Sequence, residues 1–177
     1  MAIPNLLAYG GNPRLNSIGS SFAADMSRRI SQFQGLNTEV PQADTEAAAQ
    51  FEEKTAQLQK LESALGGTVA YMADKHGEKA ASAMIALIYK RVGDGEINER
   101  TLGDAFLDVT RFIDANFGTS KGDDFMAHLN GSLNDSMNDL FDNGLNEKFM
   151  AKTTGAEGGG GGVAGLLQQM TEQYTES

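Results

Sequence analysis

Asp94, Glu96 and Asn98 stand at alternate positions around Gly95 in the stretch VGDGEINER, residues 92–100. Side-chain oxygens alternating about a glycine are what a twelve-residue calcium loop needs, because the glycine allows the sharp turn that aims them at one hard cation. With Gly95 at the sixth place of such a loop, Asp94 takes the fifth and Asn98 the ninth, but Lys90 takes the first, Val92 the third and Thr101 the twelfth. A cation stands where the first carboxylate belongs, and the bidentate glutamate is missing. The same residues also read as a stop and a restart of helix: Gly93 and Gly95 end one, and Asn98 or Thr101 helps to begin the next.

A second stretch, NDLFDNGLNE at 138–147, has Asp139 and Asn143 in register with Gly144, but Phe141 and Met150 fall at the third and twelfth places. The VGDGEINER region resembles an EF-hand in its second half only. That resemblance implies helix–loop–helix geometry. It also implies an alternative function, a calcium-responsive regulator with Asp94, Glu96 and Asn98 as the metal-facing residues.

Asp135, Asp139 and Asp142 lie four and three residues apart, with Asn134 and Asn138 beside them, so the acids share one helix face. Like charges at that spacing repel, and a basic partner or a divalent cation would relieve them. Solvent screening would do the same. His128 follows Asp124 by one helical turn, and with no third ligand in sight that spacing reads as surface pairing. Ser17, Ser20 and Ser21 have no base beside them, and no nucleophile-elbow glycine pattern occurs. LGGTVA at 65–70 lacks the lysine of a phosphate loop, and GGGGG at 158–162 leads into no basic residue. Arg28-Arg29 and Lys90-Arg91 are isolated basic pairs that suit helix ends. No cofactor is called for, and a catalytic centre would have to be assembled from distant carboxylates. This leaves a hydrolase as the least favoured function.

These residues need helices to position them. Ile18, Phe22, Met26, Ile30 and Phe33 form one helical face between a Ser17 cap and Gly35. A second helix starts at Asp44 or Thr45; Phe51, Leu58, Leu65 and Met72 step by seven along it, with Leu61 between and Lys54 interrupting the seam. Gly66-Gly67 would break or bend it. Glu78–Val92 is apolar nearly all round and reads as the central, buried helix. Strand is the competing assignment for MIALIY. Leu102, Ala105, Phe106, Val109, Phe112, Ile113 and Phe117 make a further stripe that Gly118 ends. Phe125, Leu129, Leu133, Met137, Leu140 and Phe141 make the last one, in a single helix opened by Ser120 and stopped at Asn143-Gly144. Leu145 and Phe149 are expected to tuck back onto the core.

The expected fold is all-α: a helical bundle of about five or six helices with a flexibly tethered C-terminal amphipathic helix. Residues 1–43 are an N-terminal arm and amphipathic helix, 44–150 the helical core domain, 151–162 a glycine-rich linker, and 163–177 the C-terminal amphipathic helix. Val163, Leu166, Leu167, Met170 and Tyr174 make the apolar face of that last element. A helix so short is marginal alone in water and needs a surface to bury against.

Composition narrows the partners. The chain has 177 residues, no cysteine, and a formal net charge of −10. Absence of cysteine excludes disulfides, thiolate metal sites and a cysteine nucleophile. The charge is uneven: residues 1–92 balance, while residues 93–150 hold twelve acids against four bases. An acidic second half disfavours nucleic acid and anionic membranes and favours a basic partner or a cation. The start of the chain carries no basic region ahead of its short apolar stretch, and AASAMIALIY at 80–89 is about half a membrane span. These features predict a protein without a membrane span, cytoplasmic or exported without a Sec signal peptide; a cysteine-free acidic composition suits a bacterial protein.

Taken together, the sequence predicts a non-enzymatic helical protein–protein interaction or self-assembly module. Its anchors would be Val163, Leu166, Leu167, Met170 and Tyr174, and its acidic face Asp135, Asp139 and Asp142. The expected partner is itself or another protein.

Overall fold

A computed structural model describes residues 13–36, 45–143 and 147–149. Among the described residues the chain is an all-α bundle of six helices with no strand: α1 (Pro13–Phe33), α2 (Thr45–His76), α3 (Glu78–Val92), α4 (Glu99–Phe117), α5 (Thr119–Leu129) and α6 (Ser132–Leu140). The MIALIY segment lies within α3 and is helical. Residues 150–177 lie outside the described residues, and with them the glycine-rich linker and the C-terminal amphipathic segment.

The organising element is α2, not α3. At 32 residues it runs through Gly66-Gly67 without interruption and packs against α1, α3 and α6. Its length is about 48 Å at the α-helical rise. Leu58, Leu61, Leu65, Val69 and Met72 are at most 8% exposed. The interruption in its apolar seam has a use: Lys54 Nζ donates to the Leu140 carbonyl at 3.0 Å, at the end of α6, where carbonyls lack helical partners and the dipole is negative. The apolar count in α3 misleads because much of it is alanine, which needs little cover. Met84, Ile88 and Val92 face inward, whereas Ser82, Ala86 and Lys90 are exposed.

The N-terminal helix already has its partner inside the chain. Phe22, Ala23, Met26 and Ile30 of α1 are at most 3% exposed, and α1 lies along α2. Small residues allow this close approach, because a Cβ at Gly19 would stand 3.2 Å from Val69 Cγ1. The expectation that both terminal helices seek an outside surface therefore does not hold for α1. Only the two ends of its stripe, Ile18 and Phe33, are left exposed. The helix closes where sequence predicts: Gly35 adopts φ +68°, and the Leu36 N–H donates to the Ser31 carbonyl at 2.9 Å, satisfying a terminal acceptor.

Arg28 and Arg29 do not serve the end of their own helix. Arg28 donates to Asp25, and Arg29 donates to the Gly93 carbonyl just past α3, so the negative end that benefits belongs to the neighbouring helix. Tyr89 of α3 completes the tie: its hydroxyl donates to Asp25 Oδ2 at 3.0 Å, and its ring meets Phe22 edge-on. The guanidinium bond from Arg28 holds the Asp25 carboxyl below the ordinary carboxylate range against the opposing effect of burial.

The expected single helix from Ser120 to Phe141 is two, parted at Asn130-Gly131. Asn-Gly is a turn dipeptide, so this break had a signal in the sequence. Phe125, Leu129, Leu133, Met137 and Leu140 remain at most 3% exposed across it. The break directs α5 onto α4 and α6 onto α2. Close packing at the α4–α5 corner requires glycine, since a Cβ at Gly122 would overlap the Asp114 carboxylate. Buried hydroxyls are satisfied locally, Thr68 on the Ala64 carbonyl and Thr110 on that of Phe106.

Candidate functional site

The loop after α3 is a helix entrance. The Thr101 N–H donates to Asn98 Oδ1, and the Asn98 N–H donates to Thr101 Oγ1, both at 3.0 Å. This reciprocal pair satisfies backbone donors that open α4. Ile97 beside it is 2% exposed and anchors the turn, while Asp94 and Glu96 face solvent. Asn98 therefore spends its side-chain oxygen on α4. Among the described residues no three carboxylate or imidazole groups converge closely enough to hold a metal ion.

Asp135, Asp139 and Asp142 are brought together. They line a cavity of about 370 Å³ with Gln57 of α2 and Asn138. Asp135 and Asp139 lie on the exposed side of α6; Asp142 follows the end of that helix. The Gln57 Oε1 atom is buried there with no hydrogen-bond partner. A second, wider cavity of about 530 Å³ shares Asp142 and is lined by Gln34, Asn98, Glu99, Arg100, Leu140, Phe141, Asn143 and Glu147. Burial, and then the nearby Glu147 charge, push the Glu99 carboxyl above its usual range. Asn143 Nδ2 donates to Glu99 Oε2 at 2.9 Å. The mouth between α2, α4 and α6 is thus acidic on both sides of Asp142.

The other side of α5–α6 carries an arrangement that sequence reading did not single out. Asn130, Asn134 and Asn138 recur every four residues and hold the returning chain by its backbone. Asn138 Nδ2 donates to the Glu147 carbonyl at 2.9 Å, and the Glu147 N–H donates back to Asn138 Oδ1 at 3.1 Å. Asn134 Nδ2 adds a bond to the same carbonyl at 2.8 Å. Asn130 repeats the two-way pairing at Phe149: its Nδ2 donates to the carbonyl, and the Phe149 N–H donates to Oδ1 at 2.7 Å. A carboxamide offers a donor and an acceptor side by side, so it pairs with one residue's N–H and C=O as a neighbouring strand would. Lys148, between the two paired residues, is exposed. The expected return of Phe149 to the core is seen: it is 9% exposed, its ring edge-on to Phe106 at 6.3 Å. Leu145 lies outside the described residues. At about 0.5–1.5 kcal/mol each, five such hydrogen bonds and one aromatic anchor are enough to order three residues. The four-residue spacing of the asparagines was the available signal.

The two histidines are stacked on aromatic rings and not paired with a ligand set. His128 lies on Tyr71 at 4.0 Å between ring centroids, nearly parallel, and His76 lies against Phe117 at 4.6 Å. Burial lowers the proton affinity of both, with Lys121 adding to the effect at His76 and Asp124 opposing it there. A base held below its unfolded value contributes stability that is present above the unfolded pKa of about 6.5 and lost as pH falls through and below it. Lowering the pH from about 7.5 to about 5.5 should therefore reduce the urea midpoint of the intact chain. The drop should shrink in a His128→Phe variant, which keeps the stack and carries no proton; an equal drop in both would exclude His128 as a source.

Neither a protein-family model, nor a curated protein, nor a solved structure matches this chain. Val163, Leu166, Leu167, Met170 and Tyr174 lie outside the described residues. No helix of the described residues is long and apolar enough to cross a membrane.

Proposed function

We propose that this chain is a non-enzymatic helical interaction module that associates with itself or with another protein through the apolar face at its C-terminal end. The observation that carries this reading is that the bundle closes its core without that face. Met26, Ile30, Leu61, Leu65, Met72, Met84, Ile88, Ile97, Leu102, Phe106 and Phe125 are buried among residues 13–149 alone. Val163, Leu166, Leu167, Met170 and Tyr174 repeat at helical spacing beyond a glycine-rich run. Such a face gains by covering an apolar surface, and a short helix gains its order from that contact. The acidic mouth formed by Asp135, Asp139, Asp142, Glu99 and Glu147 favours basic over acidic partners. The alternative of a cation-responsive regulator loses Asn98 to the cap of α4.

Removing residues 163–177 tests the reading. The shortened chain should keep the urea midpoint of the full one and lose self-association or partner binding, as measured by light scattering and pull-down. Equal particle mass for both forms and recovery of the same partners would refute it.

A further inference from the structure

We propose that the asparagine ladder Asn130–Asn134–Asn138 is a backbone-reading peptide groove that accepts Glu147–Phe149 from a second copy of this chain in place of its own. The inference deepens the self-association reading and rests on it, in that it names the partner and the surface.

Three features support it. First, every hydrogen bond described between the ladder and the segment ends on a main-chain atom of Glu147 or Phe149, so the groove asks for an extended backbone and for little else. Alternate residues of an extended chain present their N–H and C=O groups to one side, which is why residues 147 and 149 are held while Lys148 is exposed. Second, the one side-chain demand is an aromatic anchor beside Phe106, met by Phe149. Third, any second copy presents the same segment by construction. Exchange then keeps every contact and changes only which chain supplies it, the condition under which segment swapping is a low-cost route to a dimer. Residues 150–177 follow Phe149 directly, so an exchanged segment carries the apolar face at 163–174 onto the partner copy and gives two points of attachment.

The chain's own segment competes, at an effective concentration in the millimolar range for a short tether. The experiment therefore uses full-length protein carrying Phe149→Ala, which weakens that competitor and leaves the ladder intact. A fluorescent capped peptide of residues 145–151, LNEKFMA, is titrated to millimolar concentration. Saturable binding is expected, at least about tenfold tighter than to the unsubstituted chain, in which the native segment occupies the groove. The same peptide with its phenylalanine changed to alanine should not bind, nor should LNEKFMA bind protein that also carries Asn130→Ala and Asn138→Ala. No saturable binding to the Phe149→Ala chain, or equal binding with and without the two asparagines, overturns the inference.

Should those variants unfold, the native absence of cysteine supplies a second route. One chain carries Asn138→Cys alone and another Glu147→Cys alone; they are mixed and oxidised. Exchange predicts that mixed disulfide dimers exceed both like pairs by far more than the statistical two to one, and a statistical mixture overturns it. The outcomes separate the two proposals. Peptide binding with no mass change on removal of 163–177 retains the groove and rejects the tail as the association face. A mass change with no peptide binding does the reverse.

Discussion

Replacing Phe106 with alanine should cost about 3–5 kcal/mol, the range for an aromatic side chain removed from a closed core. Phe106 lies on α4, is 0% exposed, and meets the Phe149 ring edge-on. Its loss removes the packing of a large ring and leaves a void that the surrounding helices fill only in part. Against a typical domain stability of about 5–15 kcal/mol, the variant should sit near the edge of folding. Urea unfolding followed by circular dichroism measures it: the midpoint should fall with an unchanged slope. The 147–149 segment should also lose its anchor, so its amides should exchange with solvent faster than those of α2 under conditions where the bundle is still folded. A cost below about 1 kcal/mol would contradict the packing of α4 described above.

The second large effect concerns Gly66-Gly67. Two adjacent glycines in a helix suggest a hinge, yet α2 passes through them unbroken. Gly67 has open space where a Cβ would go, and a Cβ at Gly66 would meet only Ala23 Cβ at an ordinary 3.8 Å. Gly67→Ala should therefore stabilise the protein by about 0.5–1 kcal/mol, because glycine loses more backbone freedom on entering a helix. Gly67→Pro should destabilise it by about 3 kcal/mol or more, because proline removes a bond to the carbonyl four residues earlier and its ring collides there. The two substitutions bear on one question from opposite sides. If the glycines were a working bend, alanine would be harmful and proline tolerated. Thermal or urea unfolding of both variants gives the answer.

Both predictions turn on which helix is central, and here sequence and structure part company. The 3.6-residue stripes placed Phe22, Met26, Ile30, Leu61, Leu65, Phe106, Phe125 and Leu133 on buried faces, and all are buried. Periodicity is a local signal, since an apolar side chain must leave water whichever neighbour covers it. The same signal overrated α3, whose alanines raise the apolar count without demanding cover, and underrated α2, whose exposed outer face hides that it is packed by three neighbours. Lys54 looked like a flaw in the α2 seam until the end of α6 was found beside it. Cap residues were legible for the usual reason, that a cap is a contact over three residues: Asn98 with Thr101, and Gly35 after α1.

The candidate site divides the same way. That Asp135 and Asp139 share a face was readable from their spacing. That Gln57 lies beneath them depends on how α6 packs on α2, which no local pattern states. The asparagine ladder was visible only as a spacing of four; its meaning depends on a chain segment nine to nineteen residues further on coming back to lie against it. By itself the sequence determined the helical class, most helix ends, the buried faces, the absence of thiol chemistry and the sign of the surface charge. Each follows from a residue's own propensity or from neighbours within two helical turns. The tertiary structure alone decided the order of packing, the centrality of α2, the partners of Arg29 and Lys54, and the grip on residues 147–149. Those are contacts between residues distant along the chain, set by how whole apolar faces match in shape, and shape at that range is written in no single stretch.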